Sequence, residues 1–105
     1  MRRGEIWWAR LPKPAGKRPV VLLSRDEAYS VRELVTVAPV TTRIRNIAAE
    51  VRLGPSDGLP RECAVNLDVM TTISKSLLTD RITTLKHDKR LAVDEAVRFA
   101  LDLFH

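Results

Sequence analysis

The residues of this chain best suited to chemistry are cations and hydroxyls at the ends of apolar runs. In GKRPVVLLSRD (Gly16 to Asp26), Lys17 and Arg18 stand just before Pro19 and the buried-strand pattern Val20–Leu23. In APVTTRIR (Ala38 to Arg45), a second apolar run closes on Thr41 and Thr42, followed by Arg43 and Arg45. Taken singly, each has a plain structural reading. Arg18 is a strand-end charge reaching for water along its aliphatic stem, and Arg43 and Arg45 are outward-facing charges. Taken together, two strand ends each deliver a guanidinium with polar neighbours, a combination suited to gripping a phosphate. The planar arginine fork bonds two phosphate oxygens and keeps its charge at any working pH, and a threonine hydroxyl donates or accepts one further bond.

Other chemistries find little support. Four glycines, at 4, 16, 54 and 58, cannot write a Walker or Rossmann phosphate loop. His87 and His105 are the only histidines, and neither has a second ligand at metal spacing, so neither a metal nor a cofactor is expected. A Cys63–His87 nucleophile pair is formally available, but a lone cysteine beside Ala64 and Val65 reads as a small buried residue. His87 reads as a surface residue near a helix start.

Charge separates the chain into two parts. Residues 1–60 carry 11 Lys+Arg against 6 Asp+Glu, whereas residues 61–105 carry 7 against 7, so the whole excess of +5 lies in the first part. Arg10, Lys13, Lys17, Arg18 and Arg25 follow one another with no acid between, and Arg43 and Arg45 form a second acid-free group. Such an asymmetry fits either solubility or a polyanion site, with nucleic-acid phosphates as the leading ligand.

The elements that must position these groups are mostly strands. With 105 residues and 30% charged side chains, the chain reads as one globular domain spanning 1–105. Strand patterns run over Glu5–Leu11, Pro19–Ser24, Leu34–Val40 and Ala48–Leu53, with a fifth in CAVNLD and a sixth in MTTIS. Pro19, lacking an N–H, suits the first position of its strand. RDEAYSVRE reads as a turn or a short helical segment, and GPSDGLP as a loop. Val93, Ala96, Val97, Ala100, Leu101 and Phe104 fall at i, i+3, i+4, i+7, i+8 and i+11, one stripe of an amphipathic helix. Asp88 is its expected N-cap, and Asp94 is placed to pair with Arg98. Five or six short strands with one terminal helix predict a mainly β fold, a small barrel with helical decoration. No apolar run approaches the roughly 20 residues needed to cross a bilayer, and no signal-peptide pattern is present. With its single cysteine, the chain is expected in the cytoplasm.

The segments RRGEIWWARLP, KRPVVLLSRD, VTVAPVTTRI, LPRECAVNLDVMTTI and SLLTDRITTL, in that order before a terminal helix, resemble the MazF/PemK family. These are ribosome-independent endoribonuclease toxins of bacterial type II toxin–antitoxin pairs. The resemblance runs from Arg2 to about Phe104, and it implies an SH3-like β-barrel of the MazF/CcdB type. It also implies a homodimer with single-stranded RNA (mRNA, tRNA or rRNA) in a groove across the dimer interface. Arg18 and Thr41 match the family's catalytic pair. The segment Pro12–Lys17, about six residues and shorter than in many relatives, matches a loop that covers substrate. Cys63 stands where relatives often carry serine or glycine.

The reaction so implied is sequence-specific and needs no metal. The ribose 2′-OH attacks its own phosphate, leaving a 2′,3′-cyclic phosphate and a 5′-OH. Arg18 suits charge neutralisation and is a candidate proton donor, Thr41 would hold a phosphate oxygen or orient the attacking hydroxyl, and the base is unassigned. Lys17, Thr42, Arg43, Arg45, Arg10 and Arg25 are candidates for RNA contacts. One of Trp7 and Trp8 would stack a base, with the other in the core or dimer interface. A cognate antitoxin with an acidic disordered tail is the expected protein partner. The alternative, from a different class, is a CcdB-like toxin that inhibits DNA gyrase by protein contact without catalysis.

Overall fold

The computed structural model describes residues 1–103. Seven strands and two helices follow in order: β1 (Glu5–Arg10), β2 (Lys17–Leu22), α1 (Ala28–Val31), β3 (Leu34–Thr41), β4 (Glu50–Leu53), β5 (Cys63–Asn66), β6 (Thr71–Ser74), β7 (Leu78–Thr84) and α2 (His87–Leu101). Short 3-10 turns at Pro55–Asp57, Leu67–Val69 and Lys75–Leu77 link the later strands. All strand pairs are antiparallel, in the order β4-β5-β3-β2-β1-β7, with β6 alongside the first half of β3.

The expected mainly β fold with a C-terminal helix is present; the sheet is not closed, its path running from β4 to β7, and among the described residues β6 pairs with β3 alone. In place of a further strand, β4 meets α2, whose Lys89 Nζ donates to the Arg52 carbonyl at 2.6 Å. Both faces of the sheet are covered. A first core joins Ile6, Val21, Ala38, Val40, Leu53 and Val65 to Val93 and Ala96 of α2. A second core, on the opposite face, joins Ala9, Val20, Leu22, Val35, Val37 and Ile73 around Tyr29. Successive residues of a strand point to opposite faces, which is why Val20 and Val21 serve different cores.

Several local expectations need correction. Strand β7 was not expected as an element. Two register shifts against β1, between Ile6 and Trp7 and between Trp8 and Ala9, break its alternation, so its pattern does not read as a strand. Pro19 is the third residue of β2 and not the first. It lies opposite Trp8 of β1, while the β3 ladder starts only at Val20, so no N–H is needed on that side. The N-cap of α2 is Lys86, without a side-chain cap, and Asp88 lies inside the first turn, where its charge complements the helix dipole. Asp94 pairs with Arg3 at 2.8 Å and Arg98 with Glu95 at 2.7 Å, so the expected Asp94–Arg98 pair does not form. Facing the sheet, Asp94 finds the better-placed cation on the N-terminal segment. The apolar stripe of α2 packs through Val93, Ala96, Val97 and Ala100, whereas Leu101 is exposed and Phe104 lies outside the described residues.

Candidate active site

Antiparallel topology brings three strand ends to one rim of the sheet: the end of β1, the start of β2 and the end of β3. Arg10 lies opposite Lys17, and Ala9 opposite Arg18. Between β2 and β3 the register is Val20 opposite Pro39, Val21 opposite Ala38 and Leu22 opposite Val37. Continued toward the rim, the same alternation sets Pro19 across from Val40 and Arg18 across from Thr41. The ladder itself stops at Val20–Pro39 because Pro19 has no N–H to extend it. Proline thus leaves the two strand ends side by side but unzipped, with Arg18 and Thr41 in line on neighbouring strands.

Each of these two side chains has a fixed anchor. Arg18 is half-buried at the margin of the second core, next in line to Ala9 and Val20, and its Nε donates to the Ala15 carbonyl at 3.3 Å. That carbonyl belongs to the β1–β2 loop, which is compact. Leu11 N donates to Gly16 O at 3.1 Å, and Pro12 O accepts from both Ala15 N and Gly16 N. Gly16 has φ +66, a left-handed conformation that favours glycine, and it delivers the chain directly into Lys17 and Arg18. Thr41 ends β3, and its Oγ1 accepts from Arg43 N at 3.1 Å, fixing both the hydroxyl and the path of the next residues.

A cavity of about 260 Å³ opens beside Thr41. Val40, Leu59 and Cys63 of the first core, with Pro19, form its apolar part, and Trp8, Thr42 and Arg61 stand around it. Trp8 and Pro19 are opposite one another in register. Lys17 Nζ lies 5.2 Å from the Trp8 ring centre, a cation–π contact. Trp7, by contrast, packs against the second core and donates from Nε1 to Glu5 Oε1 at 2.9 Å. Of the two tryptophans, Trp8 is therefore the one presented at the rim. Thr41 lines the cavity, and the register continued past Val20–Pro39 puts it on the strand next to Arg18.

The candidate contact residues divide in the same way. Lys17, Arg10, Thr42 and Arg43 are exposed at the rim. Arg45 is exposed too, and its backbone N donates to Glu50 Oε1 at 2.9 Å, at the end of β4 remote from Cys63. Arg25 lies beyond the other end of β2, where it lines a separate cavity with Arg3, Leu23, Met70 and Val97. The structure does not bring Arg25 together with Arg18. Arg61 was missed from sequence because the charge count turns neutral just where it occurs; its position before the CAVN strand was the available signal. It is exposed, and no ion pair or hydrogen bond involves it among the described residues. Cys63 is buried, and its Sγ–H donates to the Leu53 carbonyl at 3.7 Å. Burial first, then Glu62 and Asp57, push its thiol pKa up, which opposes thiolate formation and leaves the Cys63–His87 pair without a nucleophile. His87 is exposed at the start of α2.

Residues 2–101 match the family model described as PemK-like, MazF-like toxin of type II toxin-antitoxin system. The chain belongs to this family. Among curated relatives, it is 44% identical over 101 residues to the probable endoribonuclease MazF5 of Mycobacterium tuberculosis H37Rv, covering 95% of this chain and 92% of the relative. Among solved structures, it is similar to the Mycobacterium tuberculosis toxin MazF-mt6, with a TM-score of 0.88 and 34% identity over 96% of this chain and 99% of the other. A mycobacterial endoribonuclease in complex with its cognate antitoxin matches with a TM-score of 0.88 and 26% identity, over 100% and 98% of the two chains. These matches give the CcdB-like gyrase-inhibitor reading of this MazF-like toxin no support. No helix among the described residues is long and apolar enough to cross a membrane.

Proposed function

We propose that this MazF-like toxin is an endoribonuclease that cuts single-stranded RNA at the rim formed by Arg18 and Thr41. The observation that carries the reading is the register. Continued past Val20–Pro39, it supports a guanidinium and a hydroxyl on neighbouring strand ends. In the reaction, the 2′-OH attacks the adjacent phosphorus, the bond to the 5′-oxygen breaks, and a 2′,3′-cyclic phosphate and a 5′-OH result. The Arg18 fork meets the negative charge that builds on the phosphate oxygens. Held by the Ala15 carbonyl and the strand behind it, the fork needs little reorganisation as that charge develops, and such a preorganised donor contributes about 2.7–4 kcal/mol. Thr41 holds a phosphate oxygen or aligns the 2′-OH. No side chain is assigned as base, and the reaction is metal-independent.

RNA is drawn to the rim by Arg10, Lys17, Thr42 and Arg43, with Arg45 as an outlying contact. Lys17 holds the Trp8 face in the free protein through a contact worth about 0.5–1 kcal/mol at an exposed site. A stacked base contributes about 1–3 kcal/mol, so it displaces the ammonium, which is then free for a phosphate. In its finer architecture the sheet is an SH3-like barrel left open at its edges. The toxin forms one domain over residues 1–105, works in the cytoplasm as a homodimer, and is held inactive by an antitoxin whose acidic tail occupies the cationic rim.

The test is cleavage of a mixed-sequence RNA in EDTA with identification of the new ends. Wild type is expected to leave 5′-OH ends, and Arg18→Ala to lose about 10²–10³-fold in rate. Intact RNA with the wild type, or undiminished cutting by a folded Arg18→Ala variant, would refute the proposal.

A further inference from the structure

We infer that Arg52 of β4 is a second phosphate-gripping arginine, which holds the RNA strand on the same face of the sheet as Arg18 and Thr41. This deepens the reading above, by naming a further binding residue for the same site, and rests on it. The register places Arg52 there. Thr41 of β3 lies opposite Ala64 of β5, and Ala64 lies opposite Arg52 of β4. Continued past Val20–Pro39, the β2–β3 register adds Arg18 to the same cross-strand row. Alternation then decides the face. Val51 and Leu53 flank Arg52, Cys63 and Val65 flank Ala64, and Val40 precedes Thr41; all five belong to the first core. The side chains of Arg52, Ala64 and Thr41 are therefore on the opposite face, which Arg18 shares with Val20 of the second core. Within that row, only the methyl group of Ala64 stands between Thr41 and Arg52, a span of roughly 10 Å or two strand spacings.

The guanidinium of Arg52 is aimed but lightly held. Its Nη1 donates to Asn46 Oδ1 at 3.3 Å, and its Nη2 lies 3.6 Å from Glu62 Oε1, in a pair whose side chains are 53% and 65% exposed. Exposed pairs of this kind contribute little, whereas a phosphate offers the planar fork two oxygens at once. The backbone beneath is fixed. All four residues of β4 pair with β5, and the Arg52 carbonyl accepts from Lys89 Nζ at 2.6 Å. Glu62 thus occupies the fork in the free protein and yields it to RNA. A strand whose reacting phosphate sits at Arg18 and Thr41, and whose neighbouring phosphate reaches Arg52, runs from β2 toward β4. Its path crosses the strands and does not follow them.

The experiment measures binding of a short single-stranded RNA, 2′-deoxy at any position the protein cuts, to wild type, Arg52→Ala, Glu62→Gln and the double variant. A series of RNAs with one phosphate at a time replaced by an uncharged methylphosphonate locates the contact. In wild type, a phosphate beside the reacting one should be sensitive to this replacement. In Arg52→Ala that sensitivity should disappear, while that of the reacting phosphate remains. Arg52→Ala should also flatten the slope of log affinity against log salt by about 0.7. Glu62→Gln should tighten binding by up to about fivefold, and the gain should vanish in the double variant. Should Arg52→Ala fail to fold, Arg52→Gln takes its place in every arm. An unchanged salt slope and phosphate profile without the Arg52 guanidinium, or a gain from Glu62→Gln that persists there, overturns the inference while the nuclease reading stands. If wild type cuts nothing, the nuclease reading fails, and the phosphate scan on unmodified RNA still decides whether Arg52 grips the strand.

Discussion

The two ends of strand β2 carry arginines in opposite circumstances. At its start, Arg18 and Lys17 join Arg10 of β1 and Arg43 after β3, in stretches of sequence with no acid from Ile6 to Arg25 or from Leu34 to Ala49. Beyond its end, Arg25 is followed by Asp26 and Glu27, and Arg3 pairs with Asp94 while its backbone N donates to Asp26 at 2.7 Å. Acids accompany the cations at the far end, and cations at the rim are left for a ligand. β7 tempers the contrast with Asp80, opposite Trp8, and Arg52, in register with Thr41 through Ala64, is already tied to Glu62. The difference teaches that a count of positive charge does not locate a phosphate site. What locates it is charge left unpaired where strand ends converge around a hydroxyl.

The sharpest way to break this comparison is to remove one arginine from each end. Arg18→Ala should lower the cleavage rate by about 10²–10³-fold with the fold intact, whereas Arg25→Ala should leave the rate unchanged in a steady-state assay on one RNA. Equal losses would erase the distinction between the ends. Next in size is a stability effect at the end of β1 away from the rim. The Glu5 carboxylate is buried, and it accepts from Trp7 Nε1 and Arg2 N and lies 3.5 Å from Arg81. Burial alone would raise its pKa, but those hydrogen bonds, with the N-terminal and Arg81 charges, outweigh it and bring the pKa below the ordinary 4.5. A lowered carboxylate pKa stabilises the fold above that ordinary value and loses its contribution as pH falls through the folded-state value. Glu5→Ala should therefore destabilise by about 1.5–3 kcal/mol at neutral pH, and the gap to wild type in denaturant melts should shrink below pH 4.5.

Smaller effects sharpen the same contrast. Lys17→Ala and Arg43→Ala should each weaken RNA binding across all sequences and flatten the slope of log affinity against log salt by about 0.7, the value for one single-strand phosphate contact. Arg3→Ala should leave that slope untouched. Loss of its partly exposed pair with Asp94 should appear only as about 0.2–1 kcal/mol in a thermal melt.

Much of this was legible in the sequence, and the rest was hidden for identifiable reasons. Alternation over Glu5–Arg10 and Leu34–Thr41, and the 3.6 period through Val93, Ala96, Val97 and Ala100, are local signals that survive into the fold. β7 was hidden because two bulges interrupt its alternation against β1. Arg10 and Arg25 look equivalent in a run of basic residues, yet the hairpin sends one to the rim and the other beyond the far end of β2. Partner choice was equally out of sight. Asp94 lies four residues from Arg98, but tertiary packing offers it Arg3. Arg61 lies in the neutral part of the chain, and only the pairing of Thr41 with Ala64 brings its segment to the cavity. Which edges of the sheet meet is a property of the whole fold that no single segment encodes.

The most direct measurement of the central claim is the single-turnover cleavage rate of Arg18→Lys beside Arg18→Ala and wild type, on one RNA at saturating enzyme. Lysine keeps the charge but loses the planar fork. Two-oxygen grip on the reacting phosphate predicts that Arg18→Lys recovers only a minor part of the rate lost in Arg18→Ala. Full activity in Arg18→Lys would reduce Arg18 to a point charge, and full activity in Arg18→Ala would remove it from the reaction.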